Sequence, residues 1–498
     1  MRTRTVVIIL ILIGLLTGLA VILIPQLTQQ EQVSTTTYWP AQDWRTSTPE
    51  EQGLDSVKLA EALQVIQENN IAIDSLMMIR NGYKVLDANF YNPYDGTFPH
   101  DMASVTKSIM TTLIGIAADQ GKIDLDQSLV SFFPDRIIAN MDVLKEKVTI
   151  RHLAGMVNGF QSGCMAGDME TIHKMQSSAD WVQAALDRKM VREPGKFFCY
   201  DSPGMHLLSA VLQEATGTTA LEFARQNLFE PLGIQDVIWE SDPQGLTRGW
   251  GDIHLMPGDA ARIGYLWLSN GVWEGKQIVS PTWVKAAVTP YIRGDDDDYG
   301  YGWWISEDSY YAYGRGGQEI MVVPDLNVIL ITTGSGFDYD KIVPYLAASV
   351  IDPEKPLPPN PAGVSQLDAA LKALVKQPED LPGGPVPETA RAISGRTYVF
   401  EPNSANLETA RIEFNDSAEA ILYLKLQGTD VIWPIGLDDK FRHSSDGLWQ
   451  RGYWKDDQTF IIEAFDVGVS TRQFDFEKDQ VQLYADGMKF EGQMGNIE

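Results

Sequence analysis

A seam rich in proline and glycine divides this chain and limits what each side can become. Between residues 352 and 389 lie Pro356-Leu357-Pro358-Pro359-Asn360-Pro361 and Pro382-Gly383-Gly384-Pro385. Proline has no backbone N–H and glycine is costly to order, so this density predicts a linker over 352–390, with one short helix at 367–375. Beyond it, strand-forming runs recur at 397–400, 410–414, 421–426, 431–433, 459–465, 469–476 and 481–484. Ala485-Asp486-Gly487 is a plain turn signal. Many short strands at this spacing predict a small all-β, barrel-like domain over 391–498. No constellation of catalytic residues stands out in it.

Before the seam the texture is mixed. Runs at 76–79 and 84–90 flank Asn81-Gly82, a hairpin signal. Residues 105–120 predict a helix, with Val105, Ile109, Leu113, Ile116 and Ala117 on one face and Gly121 as its stop. Further helices are expected at 207–214 and 220–228. Runs at 319–323 and 328–332 flank Pro324-Asp325-Leu326-Asn327, a second hairpin. Strands at both ends with helices between them predict an α+β domain over 44–351.

The start of the chain has its own character. Residues 6–24 carry no charge and follow Arg2 and Arg4. A helix of that length spans about 29 Å, close to the apolar thickness of a bilayer. A cleaved signal is the alternative, but its candidate site near Gly18-Leu19-Ala20 is followed by more apolar sequence, Val21-Ile22-Leu23-Ile24. The expectation is a cytoplasmic tip and transmembrane helix over 1–24, then a stalk over 25–43. The protein would be a single-pass protein of the cell membrane, with everything after the anchor outside the cytoplasm, because basic residues stay inside.

Charge and cysteine usage exclude several classes. Lys plus Arg number 39 and Asp plus Glu 67, a net charge of −28. So acidic a surface repels phosphate backbones, and no nucleic-acid partner is expected. Two cysteines rule out a disulfide-stapled scaffold, a cysteine-based zinc module and an iron–sulfur protein. Six histidines are scattered with no H-x-x-x-H pair, so no metal and no cofactor is expected. In an oxidising compartment Cys164 and Cys199 are expected to pair; two buried free thiols are the alternative.

Chemistry begins at Ser104-Val105-Thr106-Lys107, the single S-x-x-K of the chain. A serine opening a helix with lysine one turn on puts both side chains on one face. The helix N-terminus favours a serine becoming an alkoxide, and lysine can stabilise that charge or take the proton. A solvated cap serine with a surface lysine is the alternative. Tyr200-Asp201-Ser202 follows Pro194-Gly195; a lysine cation nearby would favour a phenolate base. Gly314-Arg315-Gly316-Gly317-Gln318 leads into a strand whose amides can face an oxyanion. Packed aromatics and a plain turn are the simpler explanations for these two. Asp295-Asp296-Asp297-Asp298 is more often a solvated loop than a calcium site. Trp303 and Trp304 suit a pocket wall or a core equally. No G-x-S-x-G elbow occurs, which counts against an α/β-hydrolase.

Taken together, in this order, the three motifs resemble those of the serine β-lactamase and penicillin-recognising superfamily. The closest branch is the class C-like one, with esterases, D-aminopeptidases and 6-aminohexanoate-dimer hydrolases. The resemblance includes His100-Asp101-Met102-Ala103, Val148-Thr149-Ile150-Arg151-His152-Leu153, Leu228-Phe229-Glu230-Pro231-Leu232-Gly233 and Tyr299-Gly300-Tyr301-Gly302-Trp303-Trp304. It implies an antiparallel sheet flanked by helices, with Ser104 acylated and Lys107 and Tyr200 handling the proton. The backbone amides of Ser104 and Gln318 would form the oxyanion hole, and Ser202, Arg315, Gly316 and Gly317 would meet the substrate. Two departures stand out: Ser202 where the family often has asparagine, and Arg315 where it usually has lysine or histidine. A serine has one donor fewer than an amide, and a guanidinium cannot act as a base. Both leave the nucleophile intact but argue against β-lactams in particular. The implied function is a membrane-anchored, outward-facing serine hydrolase of small amides or esters. A non-catalytic penicillin-binding-like sensor or scaffold, or a cell-wall D,D-peptidase, is the alternative. The C-terminal domain would shape access or bind an unknown protein partner.

Overall fold

In the computed structural model, which describes residues 39–40, 43–90, 94, 96–293, 297–337, 339–374, 386–414, 418–445, 447–485 and 487–495, the chain alternates helices with antiparallel strands up to residue 349. Helix α1 (Ser56–Glu68) is capped by Asp55, whose side chain accepts from Val57 N–H. Strands β1 (Ile73–Arg80) and β2 (Tyr83–Asn89) form the first expected hairpin. Its turn residues Asn81 and Gly82 both have positive φ, +51° and +80°, as a tight hairpin requires. Then follow β3 (His100–Asp101), α2 (Val105–Asp119), α3 (Cys164–Gln176), α4 (Ser202–Thr216), β4 (Ile238–Trp239), β5 (Ile253–Leu255) and α5 (Pro257–Leu268). Strands β6 (Asp298–Tyr299), β7 (Trp304–Ile305), β8 (Tyr310–Gly314), β9 (Gln318–Val323) and β10 (Val328–Gly334) precede α6 (Val343–Ser349), α7 (Pro361–Leu374) and α8 (Glu388–Ile393).

Seven strands make one sheet in the order β2-β1-β10-β9-β8-β7-β6, all neighbours antiparallel. Side chains alternate across it, so each strand serves two cores. Leu76, Met78, Val328 and Leu330 pack with Leu59 and Leu63 of α1, Leu346 of α6 and Leu367 of α7. On the other face α5 lies so close that a Cβ on Gly264 would meet Ile329 Cγ2 at 2.7 Å and Ile320 Cγ2 at 3.1 Å. Helix α2 is buried at 13 of its 15 positions, which makes it an interior helix. Its hydroxyls are satisfied inward: Ser108 donates to Gly302 O and Thr111 to Tyr301 O. A second, small sheet runs β3-β5-β4.

The C-terminal part holds β11 (Thr397–Phe400), β12 (Leu407–Phe414), β13 (Glu419–Leu426), β14 (Thr429–Gly436), β15 (Arg442–His443), β16 (Trp449–Trp454), β17 (Thr459–Phe465), β18 (Val469–Glu477), β19 (Gln480–Ala485) and β20 (Met488–Met494). Nine strands close into a barrel, β14-β13-β12-β11-β20-β19-β18-β17-β16, sealed by a parallel pairing of Gly436 in β14 with Arg451 in β16; β15 is appended to β16. Phe400, Ile412, Leu422, Phe460, Ile462, Phe474 and Phe490 fill it, and Ala390 and Ile393 of α8 join them.

The structure corrects the sequence expectation for several elements. β15, β16 and β20 were not foreseen. In β16 Gln450 and Arg451 are both buried, so alternation fails; Arg451 survives there by pairing with Glu463 at 2.8 Å. In β20 the inward positions are Phe490 and Gly492, too weak an apolar signal between Lys489 and Glu491. The helix expected at 220–228 stops at Ala224 and continues as a wider turn, Arg225–Phe229. Asp486 of the expected turn, residues 382–385, and the apolar segment 6–24 lie outside the described residues. Among those described, no helix is long and apolar enough to cross a membrane.

Barrel and sheet domain meet through aromatics. Tyr94 and Phe98 pack with Phe465 in a buried cluster, with Phe441 and Trp449 against it. His254 of β5 accepts a hydrogen bond from the Trp449 indole at 3.3 Å.

Candidate active site

Ser104 sits where β3 turns into α2. The turn is tight: Asp101 Oδ1 accepts from Ala103 N–H at 2.8 Å, and Ala103 has φ +45°, rare for a residue with a Cβ. Ser104 occupies the cap position of α2, but its hydroxyl makes no cap bond to the helix backbone. Instead the Lys107 ammonium lies 2.8 Å from Ser104 Oγ and donates to Trp250 O, also at 2.8 Å. Lys107 is 2 % exposed, so the alternative of a solvated surface lysine is excluded.

Tyr200 completes the cluster. Lys107 Nζ lies 4.7 Å from the centre of its ring, and the ring stacks on Trp304, centroids 6.1 Å apart and 17° from parallel. Trp303, its neighbour, points the other way into the core against Trp267 and Tyr310. Asp201 is held by Arg188, with Nη2 at 3.0 Å, and by Asn158 at 2.9 Å. Ser202 begins α4, and its N–H and hydroxyl both donate to Asp168 of α3. Burial raises the Asp168 carboxyl above its ordinary value, against the pull of the Lys107 charge. Cys164, which opens α3, is bonded to Cys199, with Cα atoms 4.8 Å apart. The bridge therefore ties the helix carrying Asp168 to the residue before Tyr200.

The third motif forms the turn from β8 to β9. Gly314 packs on the turn that carries Ser104: a Cβ there would lie 3.0 Å from Ser104 N. Gly316 and Gly317 have φ +91° and +94°, and added Cβ atoms would strike Val467 and Phe337, each at 2.2 Å. The Gln318 side chain bonds Arg315 O, Gly334 O and Gly334 N, so it locks the turn and leaves only its backbone to face a substrate. Arg315 is 64 % exposed, and its guanidinium lies 3.7 Å from Asp466.

Asp466 and Val467 come from the barrel, in the turn between β17 and β18. The barrel thus borders the glycine turn directly. Asp466 is also hydrogen-bonded to Asp101, whose carboxyl is pushed well up by burial and by the negative charges of Asp252 and Asp466. Asp168, Trp250 and Asp466 carry no motif, and sequence reasoning missed them as site residues. Three histidines that are far apart in sequence also gather at this seam. Burial and the charges of His443 and His100 lower His254 to about 3. Glu240, His254 and His443 offer ligand atoms within 4.8 Å of one another. His254 Nδ1 already receives the Trp449 N–H, so it shows no free lone pair to an ion on that side.

A helix-flanked antiparallel sheet with these motifs gathered beside it is the β-lactamase-like fold. The chain belongs to the Beta-lactamase family, which it matches over residues 60–350, more than half its length. It is 24 % identical over 264 residues to the 6-aminohexanoate-dimer hydrolase of Paenarthrobacter ureafaciens, covering 51 % of this chain and 66 % of that protein. The match spans just under two thirds of that relative. It is 24 % identical over 278 residues to penicillin-binding protein 4 of Amycolatopsis lactamdurans, covering 46 % of this chain and 71 % of that one. Among solved structures, EstCE1, a hydrolase with promiscuous acyltransferase activity, shares the fold at a TM-score of 0.51 and 15 % identity, over 60 % of this chain and 99 % of that one.

Proposed function

We propose that the protein is a serine hydrolase that cleaves an amide or ester through an acyl-enzyme on Ser104. The observation that carries this is the buried Lys107 ammonium 2.8 Å from Ser104 Oγ, under the Tyr200 ring. In this mechanism Ser104 Oγ attacks the carbonyl carbon as its proton passes to the Lys107–Tyr200 pair. The carbonyl oxygen becomes an oxyanion facing the N–H groups of Ser104 and Gln318. The C–N or C–O bond then breaks, and the leaving group departs with the transferred proton. Water, activated by the same pair, releases the acid. Hydrolase and acyltransferase names among the relatives agree with this chemistry.

The division into 44–351, a 352–390 linker and 391–498 belongs to the same proposal, with the barrel shaping access through Asp466 and Val467. So does the anchor: residues 6–24 would hold the chain in the membrane with the hydrolase facing outward, as Arg2 and Arg4 favour. Intact-mass spectrometry after exposure to activated esters, amides and a penicillin tests the chemistry. An adduct on Ser104 that turns over with esters or amides supports a hydrolase. A stable penicillin adduct without ester turnover points to a D,D-peptidase, and no adduct at all to a scaffold. Protease added to intact cells tests the orientation; a chain beginning near Val21 in the soluble fraction would overturn the anchor.

A further inference from the structure

The sheet has a cavity on the face away from Ser104. Ile320 of β9 packs on Gly264 of α5 and Gln318 shares its face, so Glu319 and Met321 point the other way by strand alternation. Helices α1, α6 and α7 cover β1 and β10 on that side, but α6 is only seven residues long. Over β8 and β9 it leaves a cavity of 1090 Å³. Met78, Met321, Leu330 and Leu346 form part of its apolar wall. Ser104, Lys107, Tyr200 and Gln318 do not line it.

The polar part of this cavity has one sign. Asp297, Asp308, Glu319 and Asp325 line it, and among the described residues no lysine or arginine does. Glu319 is 2 % exposed, and its Oε2 accepts no hydrogen bond among the described residues. Burial pushes its carboxyl up to about 8, with the charge of Asp297 adding to this and a hydrogen bond from Tyr339 opposing it. Tyr311 donates to Asp297, and Tyr313 lines the same side. Two carboxyls among three tyrosine rings suit an organic cation once Glu319 is ionised, above about pH 8: the pair then supplies opposite charge, and the rings receive the cation. The apolar wall needs an apolar body on the same molecule.

We propose that this cavity binds an amphiphilic organic cation, an apolar chain or ring carrying an ammonium group that sits at Glu319 and Asp297. The site is separate from the hydrolytic one and does not depend on it. The two share a wall at Trp304, which lines the cavity and stacks on Tyr200.

Isothermal titration of the full-length protein at pH 9, where Glu319 is ionised and octylammonium is still a cation, tests this with octylammonium, octyltrimethylammonium, octanol and octanoate. Both cations should bind about ten-fold or more tightly than octanol, and octanoate should not bind. Glu319→Gln should weaken cation binding about ten-fold. Ala347→Trp, which fills the mouth from the exposed side of α6, should abolish binding while thermal unfolding is unchanged. Equal binding of octanol and octylammonium would overturn the proposal. So would undiminished binding in Glu319→Gln, or the absence of any binding in wild type.

Discussion

The Asp168 carboxylate accepts two hydrogen bonds from Ser202, one from its N–H at 2.9 Å and one from its hydroxyl at 2.5 Å. This pair caps α4 from another helix and fixes the segment that carries Tyr200. Asp168→Ala removes both acceptors and leaves the buried Ser202 N–H and hydroxyl without that partner. A buried unsatisfied group costs about 1–3 kcal/mol, so the unfolding temperature should drop. Turnover should fall by more than the stability loss accounts for, mainly in kcat, because Tyr200 loses its position. Unchanged kcat with a lowered melting point would confine Asp168 to a structural part.

Ser104→Ala should abolish turnover and leave the fold intact. Losing a covalent nucleophile costs several orders of magnitude in rate. Circular dichroism and ester hydrolysis measured together check both halves of the statement.

Lys107→Ala and Tyr200→Phe should each slow acylation strongly, and the double variant should be little worse than either. In the proposed mechanism both act on one proton transfer; Lys107 Nζ lies 4.7 Å from the Tyr200 ring centre. A double-mutant cycle on the acylation rate measures this; full additivity would separate their roles.

Reduction of Cys164–Cys199 should destabilise the native state by roughly 3–4 kcal/mol in the chain-entropy model for a loop of this length. Activity should fall with it, because the bridge holds both Asp168 and the approach to Tyr200. Thiol counting and melting curves with and without reductant supply the comparison.

Glu319 gives the protein a pH dependence of definite sign. Its ordinary value is 4.5, and in the fold it is raised to about 8 by burial. The native state therefore holds this proton more tightly than the unfolded chain. Its stabilising contribution is complete below the ordinary value and is lost as pH rises through the raised one. Wild type should lose up to about 4 kcal/mol between pH 5 and 9 from this group, and Glu319→Gln should flatten that slope. Denaturant unfolding at a series of pH values reads it; an identical slope in both proteins would show that Glu319 ionises elsewhere in the range.

Residues that act through local spacing were legible in the sequence. The turn at Asn81-Gly82, the helix from Val105 and the Ser104–Lys107 pair depend on neighbours within a few positions, where dihedral preference and helical period decide geometry. The Cys164–Cys199 pairing followed from counting two cysteines in a chain expected to be exported, and the structure contains that bond. Strands β16 and β20 were hidden because their partners, not their own residues, make them strands.

The sequence alone determined the order of motifs, the two textures either side of the seam, and the pairing of Ser104 with Lys107 one turn on, because these are properties of composition and short-range spacing. Tertiary structure decided the rest. It buried Lys107 against Trp250 O, brought Asp168 to Ser202 across 34 positions, and set Asp466 of the barrel beside Arg315 and Asp101. It turned Trp304 to Tyr200 and Trp303 to the core, and it left Glu319 facing a cavity while Gln318 beside it locks the glycine turn. Burial and long-range charge belong to the packed chain, and no window of neighbouring residues contains them.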